Sequence, residues 1–373
     1  MTGVPALIAV LKRPPVWISG VAAAAILIVG GGLYFAFRPN PAPAPQADSS
    51  APPRTVATEP VIAGQPSQSQ DASGDADIAY GAYQRGYYLT AFQEATKRID
   101  AKNDPKSMTL LGELYAEGLG VANDDKKALE WYRLAASRGD REAMFSLAMF
   151  RLTGRGGPTD RTEGAKLLAD AAKRGHIVAA YDLALLYLEG QTLPQDFARA
   201  AELMKMAAEA GNPQAQYALA TLYREGHGVQ RDLQESARWL GLAARSGYLD
   251  AEVEYGIVLF NGTGIAKDER TAGEYLMKAA RKNSAPAQSR LAMMYATGRG
   301  IEANPVEAAR WHLIARAGGD NDQFMDDFVR KMKPADRTAA EDKAKPWIAR
   351  MQAANSSPFP DPPAPQPMQQ AKP

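Results

Sequence analysis

The chain has 373 residues, 43 lysines and arginines against 42 aspartates and glutamates, and no cysteine. A net charge of +1 offers no overall field for nucleic acid. The missing cysteines exclude disulfides and thiol catalysis.

Residues 1–15 form a short N-terminus ending in Lys12, Arg13, Pro14 and Pro15, and Arg38 closes a run of 22 uncharged residues at 16–37. At about 1.5 Å per residue that run matches a hydrocarbon core of roughly 30 Å, so it predicts a single transmembrane helix. A cleaved signal peptide is the rival reading. It requires a shorter apolar stretch and a small-residue cleavage site, whereas Tyr34, Phe35 and Phe37 end this one. Lys12 and Arg13 place the N-terminus in the cytoplasm by the positive-inside rule, and the chain beyond Arg38 in a bacterial periplasm, anchored to the inner membrane. Residues 38–77, rich in Pro, Ala, Ser and Gln, are expected to be a disordered linker. Residues 78–103, with Tyr80, Tyr83, Tyr87, Tyr88 and Phe92, predict a degenerate helix pair.

From 104 to 319 the chain repeats every 36 residues. Gly118, Gly154, Gly190, Gly226, Gly262 and Gly298 form one series, and Gly139, Gly175, Gly211, Gly247, Asn283 and Gly319 a second. Each unit carries two stretches of apolar residues at spacings of three and four, the period of an amphipathic helix. Asp124, Asp160, Asp196, Asp232, Asp268 and Asn304 stand where the second helix needs an N-cap. The closing glycines suit the left-handed position after a helix end. Small residues recur at one place in the first helix (Gly112, Ala148, Ala184, Ala220, Gly256, Ala292) and one in the second (Ala135, Ala171, Ala207, Ala243, Ala279, Ala315). Large ones, including Trp131, Trp239 and Trp311, are expected to fill the space between units. The predicted fold is all-α, a right-handed superhelical solenoid of antiparallel helix pairs. Arg151 and Leu259 replace a recurrent tyrosine, and Thr192 replaces a turn glycine in the third copy, where the loop reads GQTLPQD.

The runs LGELYAEGLGV (111–121) and WYRLAASRG (131–139), with their copies, resemble the Sel1-like repeat, a relative of the tetratricopeptide repeat. The resemblance covers residues 104–319. It implies a scaffold that binds a protein partner in a concave groove lined by first helices, in the assembly or regulation of envelope machinery. By that resemblance the groove includes the positions of Thr109, Phe145, Tyr181, Tyr217, Val253 and Ser289, and of Glu113, Met149, Leu185, Thr221, Ile257 and Met293. Phe145, Met149, Tyr181, Leu185 and Tyr217 form its apolar strip, with Asp182, Arg224 and Glu254 as polar candidates. Core packing is the competing reading of the same aromatics. Peptidoglycan is the alternative ligand.

Residues 320–352 are expected to cap the array as two helices separated by Pro334, with Phe324, Phe328, Trp347 and Ile348 as their apolar stripe. The Pro-rich tail 353–373 is expected to be disordered. His176, His227 and His312 fall in different units and phases, with no carboxylate at metal-ligand spacing. The sequence contains no G-x-S-x-G elbow, phosphate loop or dinucleotide fingerprint. No cofactor, metal or enzymatic activity is expected.

Overall fold

The computed structural model describes residues 77–356 and two dipeptides before them. These, Ile28–Val29 (β1) and Gly32–Leu33 (β2), pair antiparallel with Ile28 opposite Leu33. At those four positions the backbone is extended where a continuous helix was expected; the sequence there runs Gly30-Gly31-Gly32, the poorest non-proline helix former in triplicate. The remainder of the predicted membrane segment, the linker up to 76 and the tail from 357 lie outside the described residues. No helix among the described residues is long and apolar enough to cross a membrane.

Among the described residues, sixteen helices succeed one another. The first pair is α1 (Ile78–Gln84) and α2 (Tyr88–Lys102). Six regular pairs come next: α3 (Pro105–Glu117) with α4 (Asp125–Ser137), α5 (Arg141–Thr153) with α6 (Arg161–Lys173), and α7 (Ile177–Glu189) with α8 (Phe197–Glu209). Then come α9 (Pro213–Glu225) with α10 (Leu233–Arg245), α11 (Leu249–Asn261) with α12 (Glu269–Arg281), and α13 (Ala285–Thr297) with α14 (Pro305–Ala317). α15 (Gln323–Lys331) and α16 (Pro334–Ser356) close the described chain. Each helix from α1 to α13 packs on the next, and α14 packs on α16 far more than on α15.

The boundaries arise from local chemistry. Each of the six second-helix caps, Asp124 through Asn304, accepts one or two backbone N–H groups of its helix's first turn. The six turn glycines, Gly118 to Gly298, all end a first helix at φ between 67° and 76°. Asn283 takes φ 65° in its place among the closing glycines. The small residues sit at the helix crossings. A β-carbon on Gly112 would lie 2.6 Å from the Tyr132 ring, and Ala135, Ala171, Ala207, Ala243, Ala279 and Ala315 are wholly buried. Trp239 and Trp311 are buried as expected of core residues, while Trp131 is half-buried.

The first pair keeps more of the repeat than its sequence suggests. α2 ends on Asn103 at φ 52°, 36 residues before Gly139, and Asp104 then caps α3. In four units the second turn glycine sits on the start of the preceding unit's second helix, as Gly156 does on Asp125 and Gly264 on Leu233. Gly120 sits on Leu89 at the same separation, so α2 is the second helix of a further unit. Asp77, assigned to the linker, is the cap of α1.

At the other end Pro334 does not merely separate two helices: it is the first residue of α16, where a missing N–H costs nothing. α16 also runs past Pro346 to Ser356, beyond the predicted boundary at 352. Ala340 and Ala344 bury its inner stripe, and His312, itself buried, donates from Nε2 to Asp326 Oδ1 at 2.8 Å to hold α15. That hydrogen bond, outweighing slight desolvation and aided by Arg316, holds the Asp326 carboxyl below the usual carboxylate range. A depressed folded-state value contributes stability that is present above about pH 4 and lost as pH falls through the folded value. Asp326→Asn is therefore expected to melt below the parent at pH 7, with the gap narrowing as the pH falls below the ordinary carboxylate value of about 4, as thermal scans would read.

Candidate functional site

A groove of about 900 Å³ opens at the N-terminal end of the array. Its floor is apolar, made by Leu110, Phe145, Met149 and Phe150, and Tyr80 of α1 stands half-exposed at one wall. Asp77, Glu113, Glu117, Asp140 and Glu142 line it against Lys106, Arg141 and Arg155, an excess of two negative charges.

Several of these charges are already held. Glu113 Oε1 accepts from Tyr83 Oη at 2.5 Å; burial, then Glu113, pushes that phenol above its usual range. Asp140 Oδ1 caps α5 through Ala143 N and accepts from Thr109 Oγ1 at 2.9 Å. Arg155 Nη2 donates to Asp125 Oδ1 at 2.7 Å and to the Ala116 carbonyl at 2.8 Å. The recurrence of Arg155 and Asp125 as Arg299 and Glu269, 144 residues on, identifies this as an inter-unit tie.

Of the predicted strip, Phe145 and Met149 reach this groove, as do Thr109 and Glu113 from the same two repeat positions. Tyr181, Leu185 and Tyr217 are 8%, 7% and 5% exposed, packed in the central core. The reason lies in the neighbouring unit. The residue 31 positions on is the cap of the next first helix, and the strip residue packs against it: Phe145 stacks on His176 at 4.4 Å, and the Tyr217 ring meets that of Tyr248 at a tilt, 5.3 Å apart. Two of the three predicted polar residues, Arg224 and Glu254, do converge, with Tyr217 of the strip. Glu254 accepts from Tyr217 Oη at 2.5 Å and from Arg224 Nη1 at 2.6 Å, a half-buried knot across two units. Burial first, then Tyr248 and Asp182, raises the Tyr181 phenol above its usual range.

Lys106, Arg141 and Arg155 escaped the sequence reading, which placed Tyr80 in the first helix pair and not in a groove. The recurrence of an arginine opposite an acid at 155/125 and 299/269 was the available signal for one of them.

The histidines are structural. His176 Nδ1 caps α7 at Ala179 N while Nε2 donates to Glu142 Oε2. His227 stacks on Phe197 at 5.1 Å. Among the described residues no cluster of His, Asp or Glu has metal-binding geometry.

A family model described as Sel1 repeat matches six consecutive segments, 105–140, 141–176, 177–212, 213–248, 249–284 and 285–320. The crystal structure of a Sel1 repeat protein from Oxalobacter formigenes is 30% identical over 64% of this chain and 97% of that one, with a TM-score of 0.54. A protective antigen of uropathogenic Escherichia coli strains, described as displaying an SLR fold, is 26% identical over 73% of this chain and 68% of its own, with a TM-score of 0.49. None of the curated proteins matches the chain.

Proposed function

The chain belongs to the Sel1 repeat family, whose solenoids are protein-interaction scaffolds, and on that premise we propose that it binds an extended segment of a protein partner in the groove between α1, α3 and α5. The observation that carries this is the groove itself: an apolar floor, Phe145 and Met149, within a rim that has an excess of acid. Aromatic and methionine side chains are what interface cores are enriched in. The rim favours a segment with lysine or arginine flanking one apolar anchor. We further propose that residues 16–37 tether the array to a bacterial inner membrane with the repeats in the periplasm, assembling or regulating an envelope complex. The uncharged run and the positive flank support that tether.

Crosslinking in cells, with purification and mass spectrometry, tests the groove. Glu113→Lys with Glu117→Lys is expected to weaken capture about tenfold, the equivalent of about 1.4 kcal/mol, at a temperature where the variant's melt shows it folded; loss of the Tyr83–Glu113 hydrogen bond is expected to lower that melt. Tyr181 and Tyr217 are unsuitable controls, because truncating them opens the core. Capture that survives the charge reversal removes the groove assignment. Recovery of wall material alone transfers the reading to peptidoglycan. A periplasm-specific reporter after Pro373 is expected to be active, and an inactive one overturns the topology.

A further inference from the structure

The two ends of the array differ. At the C-terminal end the outward side of α16 is polar, with Arg337, Glu341, Asp342 and Lys345 exposed, as the end of a helical stack requires in water. The N-terminal end is not. Of the eight large hydrophobic residues exposed among the described residues, four fall in one short stretch of it: Ile78, Tyr80, Tyr87 and Leu89. Scattered apolar residues need no explanation, but a gathered set marks an interface. The packing order says what is missing. Every later first helix of the array rests on the second helix before it, as α3 rests on α2 and α5 on α4. Among the described residues α1 has no such neighbour.

A glycine locates the place. Helix interiors disfavour glycine, and all but one of those present have a packing reason. A β-carbon on Gly112, Gly164, Gly241, Gly256 or Gly273 would lie 3.0 Å or less from a side chain outside its own helix. Gly81, in the middle of α1, is the exception. Its β-carbon would meet only the guanidinium of Arg85, the C-cap of the same helix, at 3.4 Å. Its four neighbours on the helix surface, at spacings of three and four, are Asp77, Ile78, Gln84 and Arg85, and all are exposed. Gly81 is therefore the centre of the outward side of α1, where bare backbone admits a second helix at close range.

We propose that this helix is α1 of a second copy, packed antiparallel across a two-fold axis with the two Gly81 residues at the crossing. Charge selects the occupant. α1 runs from Asp77 to Arg85, and the Arg85 guanidinium makes no hydrogen bond or ion pair among the described residues. An antiparallel pair sets each Arg85 beside the other copy's Asp77 and opposes the two helix dipoles. The chain before Asp77 is a poorer fit. Between Arg38 and Asp77 its only apolar side chains besides alanine and proline are Val56, Val61 and Ile62. Tyr80, on the groove side of α1, is not needed at the crossing, so one pair presents two grooves.

Sedimentation equilibrium of the full chain in detergent tests the pairing. The parent is expected to be dimeric at about 10 µM and to dissociate on dilution. Gly81→Leu is expected to sediment as a monomer there, with a melt no lower than that of the diluted parent, since leucine favours a helix and only Arg85 must move. Asp77→Lys and Arg85→Glu each bring like charges together and are each expected to dissociate at least tenfold more readily. Mixed, the two variants are expected to pair again, because the introduced lysine then meets the introduced glutamate. If Gly81→Leu fails to fold, the mixing experiment still decides. A parent monomeric up to about 100 µM overturns the proposal, as do a folded Gly81→Leu that pairs like the parent and a mixture no tighter than its components. Dimers that persist in every variant pair elsewhere in the chain and overturn it too. The chain has no cysteine, so Ile62→Cys with Gln84→Cys can close only one disulfide. Its rapid closure within a monomer would assign the outward side of α1 to the preceding segment instead.

Discussion

Gly228→Ala is expected to destabilise the array by about 3 kcal/mol or more, since a left-handed backbone and an overpacked contact each cost roughly 1–3 kcal/mol. Gly228 has φ 70°, and a β-carbon there would run into the carbonyl oxygen of Phe197, at the start of the preceding unit's second helix. Backbone on backbone leaves no side chain to swing away. Gly211→Ala is the control: its φ is 89°, but nothing lies within 4 Å of the added carbon, so it bears only the conformational cost of about 1–2 kcal/mol. Urea titration should separate the two by more than their common conformational term. Because each unit touches only its neighbours, the Gly228 variant should also divide the transition at the junction of α8 with α9. Equal midpoints for the two variants would mean that the turn does not rest on the helix below it. In the third copy Thr192 occupies the same place and takes no positive φ.

What could be read in advance was what depends on local backbone chemistry. Caps, left-handed ends and crossing-point alanines each need one residue type at one place, so a period of 36 exposes them all. Asn103 obeys that period but was hidden, because Phe92 and Ile99 interrupt the small-residue pattern of the helix before it. The groove was less legible, because its exposure is decided between units. Phe145 and Tyr217 hold the same repeat position, one packed on His176 and the other on Tyr248, yet one faces the groove and the other is enclosed. Arg155 shows the same dependence: Arg, His, Thr and Arg stand in turn at that position in copies two, four, five and six. Only the partner below, Asp125, Phe197 or Glu269, gives the arginines and the histidine their roles.

Trp239→Ala is expected to cost about 3–5 kcal/mol, the range for removing a large aromatic from a core that cannot fully collapse. Trp239 is 4% exposed in the central cluster, against Leu240 and the crossing-point alanines, with Nε1 donating to Glu235 Oε2 at 3.1 Å and Arg238 4.1 Å from the ring centroid. Trp131→Ala, at a half-buried site three units earlier in the array, should cost clearly less. Urea midpoints that rank the two in the opposite order would count against this stacking. The same substitution tests how far the units act independently. The groove ends at Arg155, and in a chain of nearest-neighbour contacts a cavity in α10 reaches it only by unfolding the units between. Trp239→Ala should therefore retain partner binding at low temperature and lose it on heating below the parent's melt. Immediate loss of binding in the cold would show that the partner spans the central units as well, and would return Arg224 and Glu254 to the binding surface.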